Sequence, residues 1–347
     1  MIEPTDEFQH RSVRTSLYFP TSKLFIAGNR KAAGTAVRWW LLPAHGVDVE
    51  AVTHGVVGRE LAGTEAVWAG GAPLRYLWRC LSDEERKEAL AAPDVLRIAF
   101  VRHPISRVFS TWSQKYLQRE PGFNDGLPAS FPKPPESVDS SDQIRDMFTE
   151  FALSLSRWHG SWLKLDGHLY PQNLVLGHLL PDAATILHVE QMADAVTLIV
   201  DHLERFGVSP GPLPRLNEAI VGYDTRLVSA EAAASLARLY RDDLKVFSYD
   251  AEPPPSPARD INLDWLNDIR RRNERWAIAR QELIALRRQL RNVRPGNARV
   301  EVDSVRRRSR ELGLELDRMR ASRSWRLTAP LRKIEDWVRA SRQARAR

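Results

Sequence analysis

The sequence predicts an α/β fold with a central parallel sheet, followed by an α-helical coiled-coil extension, and three stretches carry that reading. Leu24-Phe25-Ile26-Ala27 is a short buried strand, and the chain re-enters an apolar, helical pattern from Val37 to Leu42. Val95-Leu96-Arg97-Ile98-Ala99-Phe100-Val101 is a second buried strand, and Pro104 opens a helix just beyond it. Strands that alternate with helices make parallel pairings through helical crossovers. The third stretch begins after Ala251-Glu252-Pro253-Pro254-Pro255-Ser256-Pro257, a stiff linker, where apolar residues change to heptad spacing. The 347 residues suffice for one sizeable α/β domain plus an appendage, and 43% hydrophobic residues are enough for a packed core.

The first strand leads into Gly28-Asn29-Arg30-Lys31-Ala32-Ala33-Gly34-Thr35-Ala36. Small residues let backbone amides approach a ligand, and the following helix adds unpaired N–H groups with partial positive charge. Arg30 and Lys31 add full charges, and Thr35 a hydroxyl. This loop suits a phosphate or sulfate group. It departs from a nucleotide triphosphatase loop, G-x-x-x-x-G-K-[ST], because Lys31 precedes Gly34 and five residues separate the glycines. The second strand runs into Arg102-His103-Pro104, so a cation stands where a magnesium-dependent enzyme places an aspartate. The pair of turns reads as a site for two anionic groups with no metal.

Lys31-Ala32-Ala33-Gly34-Thr35 resembles the 5′-phosphosulfate loop of carbohydrate sulfotransferases, P-K-x-x-G-[ST]. Arg102-His103-Pro104-Ile105-Ser106-Arg107-Val108-Phe109-Ser110 is similar to that family's 3′-phosphate motif, R-x-P-x-x-R-x-x-S. His168 with Pro171-Gln172, Val189-Glu190, Leu213 to Asn217, and Tyr240 to Leu244 with Phe247 and Tyr249 follow in the family's order, so the resemblance spans about residues 20–250. One departure is Asn29-Arg30, where the family has a proline before the lysine. The resemblance implies a P-loop-like three-layer sandwich and metal-free transfer from 3′-phosphoadenosine 5′-phosphosulfate to a carbohydrate hydroxyl. It places Lys31 at the leaving group. Arg30, Ala32, Ala33, Gly34, Thr35 and Ala36 would lie around the 5′-phosphate, and Arg102, Arg107 and Ser110 around the 3′-phosphate.

Transfer to a hydroxyl needs a proton acceptor. His54 is the candidate, because Val47 to Val52 alternates like a strand and leads to Thr53-His54-Gly55 near the mouth of the sheet. Glu60 and Glu65 are the fallback, and His103 ranks below His54. Residues 120–142 are rich in Pro, Gly and Ser, as expected of a functional or disordered loop that covers or selects the acceptor. Ser82 and Glu85 spell a capping box. Val108 and Trp112 are expected to face the sheet, Asp194 to cap a helix through Phe206, and Glu231 to Phe247 to form one helix.

The expected boundaries are an arm at 1–20, the main domain at 21–250, a linker at 251–260, a helical coiled coil at 261–322 and a basic amphipathic tail at 323–347. Trp265, Ile269, Trp276, Ala279, Leu283, Leu286, Leu290 and Val293 fall at a and d positions, Pro295-Gly296 breaks the helix, and Val302, Val305, Leu312, Leu316 and Met319 resume the spacing. These helices would pair with each other, pair across a homodimer, or dock back on the domain. Residues 258–347 hold 25 Lys and Arg against 12 Asp and Glu, a net +13, which leaves −6 on residues 1–257. The basic tail, with Trp325, Leu331, Ile334 and Trp337, suits an anionic membrane face or a solvated helix, and Ala321 to Arg332 resembles a tail of bacterial surface-polysaccharide glycosyltransferases. Arg270-Arg271-Arg272 is too short a basic run for a leucine-zipper DNA binder, so no nucleic acid partner is expected. Cys80 is the single cysteine, so no intrachain disulfide forms. The acidic N-terminus is no signal peptide, and no run of about 18 apolar residues occurs. The expectation is a cytoplasmic, bacterial-type enzyme, peripheral on the inner membrane face. A magnesium-dependent kinase and a non-catalytic scaffold are the competing readings.

Overall fold

The computed structural model describes residues 16–47, 76, 78, 81–120, 123–158, 162–177, 179–180, 184–214, 219–292 and 307–314. Within them a mixed α/β domain is built on a four-stranded, mostly parallel sheet. Strands β1 (Leu17–Phe19), β2 (Leu24–Ala27), β3 (Leu96–Val101) and β4 (Thr185–His188) lie side by side in chain order. β1, within the segment read as an arm, pairs antiparallel with β2, while β2, β3 and β4 run parallel. Ala27 is registered on Ala99, so β2 and β3 deliver their C-terminal ends to the same edge.

Alternation along β2 sorts its side chains onto two faces. Leu24 and Ile26 pack with Trp40 and Leu41 of α1 (Gly34–Ala44) and with Ile199 and Leu203. Phe25 and Ala27 pack on the opposite face with Ala89 of α2 (Asp83–Ala91), Leu176 and Phe247. α2 carries the expected capping box: the Ser82 hydroxyl accepts from the Glu85 amide at 3.2 Å, and the Glu85 carboxylate accepts from the Ser82 amide at 2.8 Å.

Beyond β3, α3 (Pro104–Thr111) begins on Pro104 and continues as a π-helical stretch, Trp112–Leu117. Val108 and Trp112 do not face the sheet. They are buried against Phe148 and Phe151 of α4 (Ser141–Ser156), in a second core that also takes Leu236 of a later helix. α5 (Gln172–Leu176) precedes β4, and α6 (Met192–Glu204) follows it with Gln191 at the N-cap, Asp194 lying inside the first turn. The expected single helix over Glu231 to Phe247 is two, α7 (Ala230–Leu239) and α8 (Arg241–Val246). They break at Tyr240, whose backbone leaves the helical region and whose hydroxyl is drawn to the Leu169 carbonyl at 2.6 Å.

The loop over 120–142 is anchored. Phe123, Phe131 and Val138 are buried in the second core, and Arg119 donates to the carbonyls of Pro134 and Pro135. The linker is pinned too, with Ser256 Oγ accepting from the Thr225 amide at 3.0 Å. α9 (Leu263–Asn292) then docks its first turns on the domain through Leu266, Ile269 and Asn273. Asn267 exchanges hydrogen bonds with the Val138 backbone, and Asn273 donates to the Gln118 carbonyl at 2.7 Å. The buried seam thus starts at Leu266, one residue from the expected Trp265, because the partner is the domain rather than another heptad. Farther on, Ala279 and Leu283 pack with Leu312 of a helical segment at 307–314, and Arg308 pairs with Glu282 at 2.9 Å. The break at Pro295-Gly296 and the basic tail lie outside the described residues. Among the described residues no helix is long and apolar enough to cross a membrane.

Candidate active site

The site begins with backbone that ordinary residues avoid. Lys31 and Ala33 both adopt left-handed φ angles, 64° and 53°. Such conformations cost of order 1–3 kcal/mol each and persist where the surroundings dictate them. Here they turn the chain between β2 and the N-terminus of α1, where the first helical N–H groups have no side-chain cap. Gly34 eases the first turn, because an added Cβ would sit 3.2 Å from the Asn29 carbonyl oxygen, closer than ordinary van der Waals contact.

Buried amides hold this loop against the next strand. Asn29 Nδ2 donates to the Phe100 carbonyl at 2.9 Å and to Gln172 Oε1 at 2.8 Å. The same Gln172 oxygen accepts from the Arg102 amide at 3.0 Å, while Gln172 Nε2 donates to the Arg102 carbonyl at 2.8 Å. Asp243 fixes the start of α5 by accepting from the Gln172 and Asn173 amides, both at 2.8 Å. Asn29, two residues before Lys31, is thus a tie between the two turns.

Both turns open on one cleft of about 610 Å³. Its lining includes Arg30, Lys31, Ala33, Gly34, Thr35 and Ala36 from the first turn, with Arg102 and Ser110 from the second. Ala32 is buried beneath. Arg107 stands apart. It is fully buried, and its guanidinium donates to the carbonyls of His168 and Tyr170, so it braces the 168–170 segment instead of lining the cleft. His103 is a cap: its Nδ1 accepts from the Ile105 amide and its Nε2 donates to the Asp250 carbonyl. Burial lowers its pKa. His54, Glu60, Glu65 and the expected strand beyond Val47 lie outside the described residues. Of residues 120–142, Glu120 alone lines the cleft among those described.

Sequence reading missed several lining groups. The π-helical turn brings Gln114 and Lys115 onto the cleft together with Ser110, since an i to i+5 register stacks residues 110 and 115. Gln114 Oε1 accepts from Lys31 Nζ, and Lys115 pairs with Glu120 at 2.6 Å. Arg38, one turn into α1, also lines the wall. Five cations, Arg30, Lys31, Arg38, Arg102 and Lys115, therefore face the space beside one carboxylate, Glu120. Burial, with Lys115 nearby, lowers the Lys31 pKa to about 7. The arrangement is primed to draw in an anion with several charges, which would restore the charge on Lys31. Among the described residues no three His, Cys, Asp or Glu side chains gather as a metal site.

Comparison with curated proteins and with solved structures gives no significant match. Residues 77–250, half of the chain, match the sulfotransferase family. That span holds the Arg102 turn, the π-helical wall and the Gln172 tie, while the Lys31 turn joins it through Asn29. On that match the chain belongs to the sulfotransferase family, enzymes that transfer a sulfuryl group.

Proposed function

We propose that the enzyme transfers a sulfuryl group from 3′-phosphoadenosine 5′-phosphosulfate to a hydroxyl of a carbohydrate, a bacterial surface polysaccharide or glycolipid, on a P-loop-like three-layer scaffold. The observation that carries this reading is the pairing of two cationic turns, at the ends of adjacent parallel strands, on a single cleft. Lys31, Thr35 and the amides of residues 32–36 hold the 5′-phosphate, and Lys31 neutralises the bridging oxygen as it leaves. Arg102 and Ser110 hold the 3′-phosphate. The carbohydrate acceptor is supported by the likeness of residues 102–110 and 168–172 to the carbohydrate branch of these enzymes.

Thermal denaturation tests the donor class without knowledge of the acceptor. At a hundred times its Kd, 3′,5′-adenosine bisphosphate is expected to add about 2.7 kcal/mol, a rise of roughly 5–10 °C. AMP at the same concentration gives a smaller rise, and a preference for ATP with Mg²⁺ overturns the donor reading in favour of a kinase. Arg102→Ala removes a buried charge-assisted contact worth about 1.5–3 kcal/mol, so calorimetry is expected to show bisphosphate affinity lowered roughly 10- to 100-fold.

A further inference from the structure

Sulfuryl transfer to a hydroxyl leaves one proton to be placed, and the described lining of the cleft offers two side chains to take it. Glu120 is one, but its carboxylate is ion-paired with Lys115. His168 is the other, and it is built differently. Its Nδ1 is hydrogen-bonded to Asp166 Oδ1, and its backbone amide donates to the same oxygen at 2.8 Å. Arg30 Nη1 also points at Nδ1, at 3.4 Å, but Asp166 Oδ1 is the closer partner and can only accept, so Nδ1 carries the proton toward Asp166 and Nε2 keeps its lone pair. Nε2 has no partner among the described residues, and the ring is on the cleft wall while Asp166 is not. The imidazole therefore has an unengaged acceptor nitrogen on a residue that lines the ligand space, and an orienting carboxylate on its other nitrogen.

The surrounding chain locks this pair in place. Arg107 and Thr111 donate to the His168 carbonyl at 3.2 and 3.3 Å, Arg107 also holds the Tyr170 carbonyl, and Tyr240 holds the Leu169 carbonyl. The buried Arg107 is thereby a positioning residue for the segment that carries His168. The charged groups facing the ring are Asp166, Lys115 and Arg30, whose Nη1 is 3.4 Å from Nδ1. Burial and the two cations keep the imidazole neutral against the pull of Asp166. Burial alone would raise the Asp166 carboxyl, but the His168 hydrogen bonds hold it well below the usual carboxylate range.

We propose that His168, oriented by Asp166, is the base that deprotonates the acceptor hydroxyl. The assignment rests on the donor reading above. As the acceptor oxygen bonds to sulfur, its proton passes to His168 Nε2. The bond from sulfur to the bridging oxygen breaks, and its electron pair stays on the 5′-phosphate of the departing 3′,5′-adenosine bisphosphate. The imidazolium then returns its proton to solvent. A bound polyanion neutralises Lys115 and Arg30, which raises the basicity of the imidazole when the donor is in place.

The test measures release of 3′,5′-adenosine bisphosphate from the phosphosulfate donor, with water and with a panel of p-nitrophenyl glycosides as acceptors. His168→Ala and His168→Gln are expected to lower the rate about 10²–10⁴-fold while keeping bisphosphate affinity within about threefold of the wild type by calorimetry. Added imidazole restores part of the rate to the alanine variant. Asp166→Asn is expected to lower the rate by up to about 10⁴-fold, with no rescue by imidazole, because its histidine is present but held in the wrong tautomer. Full turnover in both His168 variants, or transfer of the large loss to His54→Ala, overturns the assignment alone. Failure of the wild type to bind the bisphosphate overturns the donor reading, and this assignment with it.

Discussion

Lys31→Met is expected to lower turnover by roughly 10²–10³-fold, the usual cost of removing one preorganised donor from a developing oxyanion. Negative charge grows on the bridging oxygen as the bond to sulfur stretches, so an ammonium there stabilises the transition state more than the bound donor. Methionine keeps the aliphatic stem and the fold of the loop but removes the charge. Bisphosphate affinity is expected to fall only about tenfold, because the loop amides, Thr35 and Arg102 remain. The pH dependence follows with a definite sign. Burial first, and then Lys115 and Arg102, lower the Lys31 pKa to about 7 in the free protein, against the pull of Glu120 and Asp166. The charged, binding form is therefore present below pH 7 and is lost as the pH rises. Bisphosphate affinity should weaken from pH 7 toward pH 9, by about tenfold in all, the limit set by loss of the Lys31 charge, with proton uptake on binding. Lys31→Arg should flatten that dependence, since a guanidinium stays charged throughout. Calorimetry in two buffers of different ionisation enthalpy measures the proton uptake, and initial rates of donor consumption measure the turnover. Unchanged turnover in Lys31→Met would remove Lys31 from the leaving-group role.

What the sequence makes legible here is what local chemistry decides. An apolar run followed by small residues and cations can hardly be anything but a strand entering an anion loop, and the capping box at Ser82 is written in four residues. The second turn is legible because Pro104 marks the helix start and Arg102 precedes it. The failures share a cause. Val108 and Trp112 have the spacing of a sheet-facing stripe, yet a second helical core lies closer. Arg107 looks like an anion ligand at its spacing from Arg102, but two carbonyls of a segment some sixty residues away claim its guanidinium. Gln114 and Lys115 reach the cleft only because the helix widens after Thr111, and no local residue announces that change of period. Asn29 is the instructive case. Its role becomes intelligible only beside Gln172, 143 residues away.

That tie carries the second large effect. Gln172→Ala is expected to destabilise the protein by roughly 2–5 kcal/mol, because two partly buried backbone groups of Arg102 are orphaned at about 1–3 kcal/mol each and Asn29 Nδ2 loses one of its two partners. The Arg102 amide and carbonyl would face an empty space, and Asn29 Nδ2 would keep only the Phe100 carbonyl. The side chain is fully buried, so no water stands ready to replace it without rearrangement. For a domain of this size the loss corresponds to a fall of roughly 10 °C in melting temperature. Stability alone would not distinguish a tie between the turns from an ordinary core residue. The distinguishing measurement is ligand affinity in the folded fraction. Gln172 fixes the Arg102 backbone directly and the Lys31 turn through Asn29, so its removal lets two anion-binding loops drift relative to each other. Bisphosphate affinity should fall about tenfold or more at a temperature where the variant remains folded. Asn29→Ala severs one arm of the tie and leaves the Gln172–Arg102 pair, so it should reproduce the loss at the Lys31 end with a smaller fall in melting temperature. If Gln172→Ala melts early yet binds the bisphosphate as tightly as the wild type, the tie is structural only, and the separation of the two turns must be set elsewhere in the sheet.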